Sequence, residues 1–84
     1  MEKRIGSVLI LIWNREQVSL LNEIISNHSS IIIGRQGLPR ENGTNIISLI
    51  LEGTTDEIAS LSGQLGHLKG INVKSMVLKE KGNE

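Results

Sequence analysis

The chain has 84 residues, no cysteine, and nine basic side chains balanced by nine acidic ones. At the usual ~100 to 200 residues per domain that length holds one domain, and the lack of cysteine excludes disulfides, thiolate metal sites, iron–sulfur ligation and a cysteine nucleophile together. Charges of both signs are scattered, and one Trp with no Phe or Tyr supplies neither the positive field nor the stacking surfaces of a nucleic-acid binder, so no direct nucleic-acid binding is expected.

A chain this short buries little more than ~60% of the surface its unfolded form exposes, so its own core is thin. The longest apolar run, Val8 to Trp13, is far below the ~20 residues that cross a bilayer, and no membrane association is expected. The start Met1-Glu2-Lys3-Arg4 is followed by no small-residue cleavage site, which with the absence of cysteine points to a cytoplasmic location.

In chain order, Arg4 to Trp13 (RIGSVLILIW) is rich in β-branched and aliphatic residues and too short for a buried helix, which predicts a first strand. Asn14 ends it as a helix N-cap, and Gln17 completes the capping-box pattern N-x-x-Q. Val18, Leu21, Ile25 and His28, widened by Ile24, form the apolar stripe of a first helix that ends near Asn27 to Ser29, while Arg15, Glu16, Ser19, Asn22, Glu23 and Ser26 face away. Ser30 to Gly34 (SIIIG) predicts a second strand. Gly34, Gly37, Pro39 and Gly43 then frame RQGLPRENG, a composition that predicts a hairpin or protruding loop.

Thr44 to Glu52 (TNIISLILE) is the expected third strand. After Gly53, Thr54 and Glu57 form a second capping box, T-T-D-E, with Asp56 beside the positive end of the helix dipole. Ile58, Leu61, Leu65 and Leu68 are the stripe of the second helix, and Gly66 or Gly70 ends it. Ile71 to Lys79 (INVKSMVLK) reads as a fourth strand with Ile71, Val73 and Val77 on one face and Lys74 on the other. Residues 1–79 therefore form one domain, and 80–84 a polar tail.

The order β-α-β-β-α-β predicts an α+β, ferredoxin-like sandwich: an antiparallel sheet of order 4-1-3-2 with both helices on one face. Its two central strands carry the runs Val8 to Ile12, and Leu49 to Leu51 with Ile46 and Ile47, without the alternation expected of a strand with one wet face. Two short helices cover one side only. Leu9, Leu11 and their counterparts therefore form an exposed apolar patch, which monomers rarely carry. Self-association is expected, as a dimer or tetramer.

Several segments resemble a known family: EKRIG (Glu2 to Gly6), IIIGRQGLP (Ile31 to Pro39), ISLILEGTTDEI (Ile47 to Ile58) and GQLGHLKGINVKS (Gly63 to Ser75). These are similar to small stand-alone ACT-like proteins described as regulators of the iron-only hydrogenase system, and the resemblance covers Lys3 to about Val77. It implies an ACT-like fold, dimers or higher assemblies, and similarity to the effector-binding domain of nickel-responsive repressors. The chain departs from those repressors in having no ribbon-helix-helix segment. It departs from amino-acid-binding ACT domains in its first strand-to-helix turn, Trp13-Asn14-Arg15-Glu16, which holds no glycine.

Two groups of side chains are candidate ligand sites. Arg35, Gln36, Gly37 and Arg40 sit in the segment expected to loop, where guanidinium groups beside glycine amides suit a carboxylate or phosphate. Asn14 and Arg15 occupy the turn where ACT domains often bind ligands between subunits. His28 and His67 are the only histidines. They lie at the ends of antiparallel helices, so a metal site using them is expected only between subunits. No nucleophile–base arrangement stands out and no enzymatic activity is expected; no cofactor follows from the residues. The reading is of a non-enzymatic regulatory module that binds a small-molecule effector or a metal between subunits. The alternative is an adaptor that takes a protein partner by strand addition at a sheet edge.

Overall fold

A computed structural model describes residues 2–79. Six regular elements follow one another: β1 (Arg4–Ile12), α1 (Val18–Asn27), β2 (Ile32–Pro39), β3 (Asn45–Gly53), α2 (Thr55–Gly66) and β4 (Ile71–Val77). The strands form one antiparallel sheet of order β2-β3-β1-β4, the predicted order read from the other edge. Both helices pack on one face. There Val8, Ile10 and Ile12 of β1 and Ile47, Leu49 and Leu51 of β3 are buried against Leu21 and Ile25 of α1 and Ile58, Leu61 and Leu65 of α2. Every second residue of the central strands faces this core, as the two-residue period of a strand requires. Among the described residues no helix is long and apolar enough to cross a membrane.

The predicted cap of α2 forms as expected: Thr54 Oγ1 accepts from the Glu57 amide at 3.1 Å, and Glu57 Oε1 accepts from the Thr54 amide at 2.8 Å, an arrangement worth about 1 kcal/mol. The cap expected at α1 does not. Asn14 accepts from the Glu16 amide at 2.9 Å and caps a short 3₁₀ turn, Arg15–Gln17, and α1 begins only at Val18. Gln17 instead reaches across to the α2–β4 turn, where its Oε1 accepts from the Lys69 amide at 2.6 Å. The cause is tertiary. The amides of Trp13 and Asn14 are both tied to the Gly70 carbonyl, at 3.0 and 3.1 Å, so the chain leaves β1 already committed to the neighbouring turn.

The second strand also departs from expectation. A 3₁₀ turn, Ser29–Ile31, occupies its predicted start, and β2 runs on through Pro39, so the expected loop is mostly strand. Pro39 is tolerated because β2 is an outer strand and loses no bond to a further neighbour. The reversal is confined to 40–44, where the Gly43 amide bonds the Arg40 carbonyl at 3.1 Å, the Arg40 amide bonds the Thr44 carbonyl at 2.8 Å, and Gly43 takes φ +90°. This is a three-residue hairpin closed by a left-handed glycine. At the other edge β4 ends at Val77 rather than Lys79. The expected tail, 80–84, lies outside the described residues.

Candidate functional site

Among the described residues nothing covers the sheet face away from the helices. Registering the strands places Leu38, Ile46, Leu11 and Asn72 side by side in one row, Gln36, Ser48, Leu9 and Lys74 in the next, and Gly34, Ile50, Ser7 and Met76 in a third. Leu9 is 56% exposed, Met76 57%, Leu38 45% and Ile50 41%. Toward one end Ile5, Ile50, Met76 and Leu78 rim an apolar hollow of about 210 Å³. The charged residues within this field are Lys74 and, opposite Ile5, Glu52, one of each sign. The apolar runs of the central strands thus project to both sides, as their lack of alternation indicated.

On the helix side a second feature comes from one irregularity. Ile32 pairs with Leu51 and Gly34 with Ile50, so Ile33 is an extra residue, a β-bulge. Opposed residues of an antiparallel pair share a face. Every residue of β2 after the bulge therefore lies on the opposite face from the one regular pairing would give it. Arg35 now opposes the buried Leu49, which puts it on the helix side, while Gln36 and Leu38 oppose Ser48 and Ile46 on the open face. Between α1 and the start of β2 this leaves a cleft of about 550 Å³ lined by Asn22, Ser26, Ser29 and Arg35, with Ile25 and Ile32 also in its wall. Among the described residues no acidic side chain lines it.

The remaining candidates are dispersed. Arg35 and Gln36 point to opposite faces, Gly37 lies further along the edge strand, and Arg40 sits in the hairpin turn, roughly 16 Å beyond Arg35 at ~3.3 Å per residue. The two guanidinium groups therefore do not converge, contrary to what a loop would allow. Asn14 and Arg15 are at the β1–α1 corner, at the same end of the sheet as the hairpin turn, since Ile12 opposes Asn45. Asn14 is engaged as a cap.

His28 ends α1 and His67 ends α2. His28 faces the beginning of α2, sharing a depression with Asp56 and Ser60, whereas the end of α2 lies by the start of α1 through the Lys69–Gln17 bond. The two histidines are thus at opposite ends of the subunit. The Ile24 carbonyl can only accept, so His28 donates from Nδ1 at 2.7 Å, and its Nε2 accepts from the Ser60 hydroxyl at 3.4 Å. The imidazole is thereby tied to a carbonyl in the last turn of α1, as side chains at helix C-termini often are. Among the described residues no three His, Asp or Glu side chains are grouped to hold a metal ion.

Asn22, Ser26 and Ser29 were not legible as site residues. Asn22 and Ser26 lie on one flank of α1 and Ser29 in the 3₁₀ turn after it, but those positions read equally well as a solvated face, and only the bulge brings Arg35 to them.

A family model described as "TM1266-like: Iron-only hydrogenase system regulator, putative" matches residues 4–75. The chain belongs to this TM1266-like family. Among solved structures it is similar to the uncharacterized protein TM1266 from Thermotoga maritima, with 38% identity and a TM-score of 0.85 over 93% of this chain and 100% of that one. It also superimposes on the ACT domain from GTP pyrophosphokinase of Chlorobium tepidum, at 16% identity and a TM-score of 0.73, covering 88% of this chain and 99% of the other. The C-terminal domain of the MgtC protein from Mycobacterium tuberculosis aligns at 13% identity and a TM-score of 0.68, over 96% and 94% of the two chains. At such identities the last two establish the fold alone, ACT-like and ferredoxin-like. No curated protein matches the chain. Membership of the TM1266-like family and the ACT-like fold agree with the resemblance seen in the sequence.

Proposed function

We propose that the chain is a non-enzymatic ACT-like regulatory module that works as a homo-oligomer and responds to a small-molecule effector. The observation that carries this reading is the open sheet face, where Leu9, Leu38, Ile50 and Met76 are exposed in one contiguous field. Four strands ~4.8 Å apart and nine residues at ~3.4 Å each give a footprint of roughly 600 Å² before side-chain relief. That approaches the ~800 Å² each partner contributes to a standard interface.

A second copy is the occupant that fits. Among the described, paired residues of this face the charged ones are Lys74 and Glu52, and the whole chain has no net charge, so like copies meet without long-range repulsion. Of the polar candidate side chains, Gln36 lies within the area such contact would cover. A closed two-fold assembly uses the same patch on both subunits and needs no further surface.

Linked self-association makes stability depend on concentration. The urea midpoint is expected to rise as the protein concentration is raised 100-fold, in step with a dimer-to-unfolded-monomer equilibrium. Midpoints that coincide across that range would count against the reading.

A further inference from the structure

We infer that the cleft between α1 and the start of β2 is a binding site for a small organic acid, its carboxylate held by Arg35 and its apolar body lying against Ile25 and Ile32. The inference rests on the effector-responsive half of the reading above and not on self-association, because every residue involved belongs to one subunit.

The bulge is the first support. Without Ile33 as an extra residue, Arg35 would stand on the open sheet face among Leu9, Ile46 and Ile50; with it, the guanidinium is delivered to the helix side. Bulges are over-represented at sheet edges, where β2 lies, and next to active sites, where they re-aim side chains. The second support is the company Arg35 keeps. The hydroxyls of Ser26 and Ser29 and the amide of Asn22 line the same cleft, and no carboxylate does. A guanidinium that meets no acid in its own cleft presents its planar fork of donors to an anion from outside.

The third support is shape and polarity. About 550 Å³ exceeds what an isolated oxyanion needs and falls within the ~300–1,000 Å³ of small-molecule sites, which pair an apolar lining with a few polar groups. Ile25 is buried and Ile32 half-buried, so the wall they supply is apolar. The cleft also runs beside the last turns of α1, which ends at Asn27. That is the negative end of the helix dipole, which disfavours any anion and a doubly charged phosphate more than a singly charged carboxylate, so the attraction has to come from Arg35.

Titration of the ¹⁵N-labelled chain with isovalerate, acetate and inorganic phosphate, followed through amide shifts, tests this. Saturable shifts at Asn22, Ser26, Ser29, Ile32 and Arg35 are expected with isovalerate, with weaker binding of acetate and weaker still of phosphate. Arg35→Gln is expected to weaken isovalerate at least ~10-fold, the loss of one charge-assisted contact, and Arg35→Lys to fall between. Because Arg35 is exposed on an edge strand, both variants should keep the wild-type spectrum away from the cleft, which verifies folding.

The inference is overturned by the absence of saturable shifts, by shifts centred on the open sheet face, by isovalerate binding no better than acetate or phosphate, or by undiminished affinity in Arg35→Gln. Sedimentation of the same samples separates the two claims. Failure at the cleft leaves the oligomeric state as it was, and a monomeric chain that still binds isovalerate at Arg35 removes only the proposed assembly.

Discussion

Replacing Leu9 by glutamate is expected to weaken self-association ~10- to 300-fold while leaving the subunit folded. Leu9 lies on a central strand in the middle row of the open face and is 56% exposed in the isolated subunit. Contact with a second copy would bury it twice, once from each subunit. Burying a leucine fully is worth ~1.5–3 kcal/mol, so the 56% still exposed is worth ~0.8–1.7 kcal/mol in each subunit and ~1.7–3.4 kcal/mol in two, and every 1.4 kcal/mol is a factor of ten in dissociation constant. Within the subunit the substitution is mild. Residue 9 stands directly opposite Lys74, and an opposite-charge cross-strand pair is neutral to favourable. Sedimentation equilibrium of the variant beside the wild-type chain measures the shift; equal dissociation constants would show that this face is not where copies meet.

Gly70→Ala should lower the stability of the fold by about 3 kcal/mol. Gly70 has φ +76°, which costs a residue with a Cβ roughly 1–2 kcal/mol. The new Cβ would also fall on Asn14, 3.0 Å from its carbonyl oxygen and closer still to its Cβ. Relief requires moving the segment whose two amides bond the Gly70 carbonyl, and each such bond is worth ~0.5–1.5 kcal/mol. For a domain of this size the loss corresponds to a fall in Tm of roughly 12–24 °C. Gly43→Ala is the matching control. Gly43 also has positive φ, but nothing lies within 4 Å of its added Cβ, so only the backbone cost remains and the fall should be about half as large. Thermal unfolding of both variants decides it. Equal losses would mean that the contact between the β1–α1 corner and the α2–β4 turn contributes nothing.

What could be read from residues and what could not divides along physical lines. Element order and sheet order followed from local signals that tertiary structure reinforced: two apolar stripes at helical spacing, a capping box at Thr54, and two strand runs without alternation. Those runs also revealed the two-sided sheet, because Val8 to Ile12 is apolar at every position and Ile46 to Leu51 at all but Ser48, which leaves no regularly wet face. The errors came where a long-range contact outcompeted a local one. Gln17 has the spacing of a capping residue, yet the Lys69 amide, 52 positions away, is the partner it takes. Gly34, Gly37 and Pro39 have the composition of a loop, yet β3 offers a pairing edge along its length, and glycine and proline are both acceptable on an outer strand.

The candidate site was the least legible part. An extra residue in one strand leaves no mark in composition or periodicity, yet it decides which face every later residue occupies. From the sequence Arg35, Gln36, Gly37 and Arg40 form one loaded segment. In the fold the bulge at Ile33 and the length of β2 send Arg35 to the cleft beside α1, Gln36 to the open face and Arg40 to the far turn. The side chains that Arg35 joins, Asn22 and Ser26 on a helix flank and Ser29 in the turn after it, have a polarity fully explained by solvent until the opposing strand is in place.

The most direct test is sedimentation velocity of the unmodified chain at micromolar concentration. An apolar surface left uncovered by its own helices should bring copies together, giving a species of at least twice the 9.2 kDa chain mass. A single, well-folded species at 9.2 kDa would contradict that account.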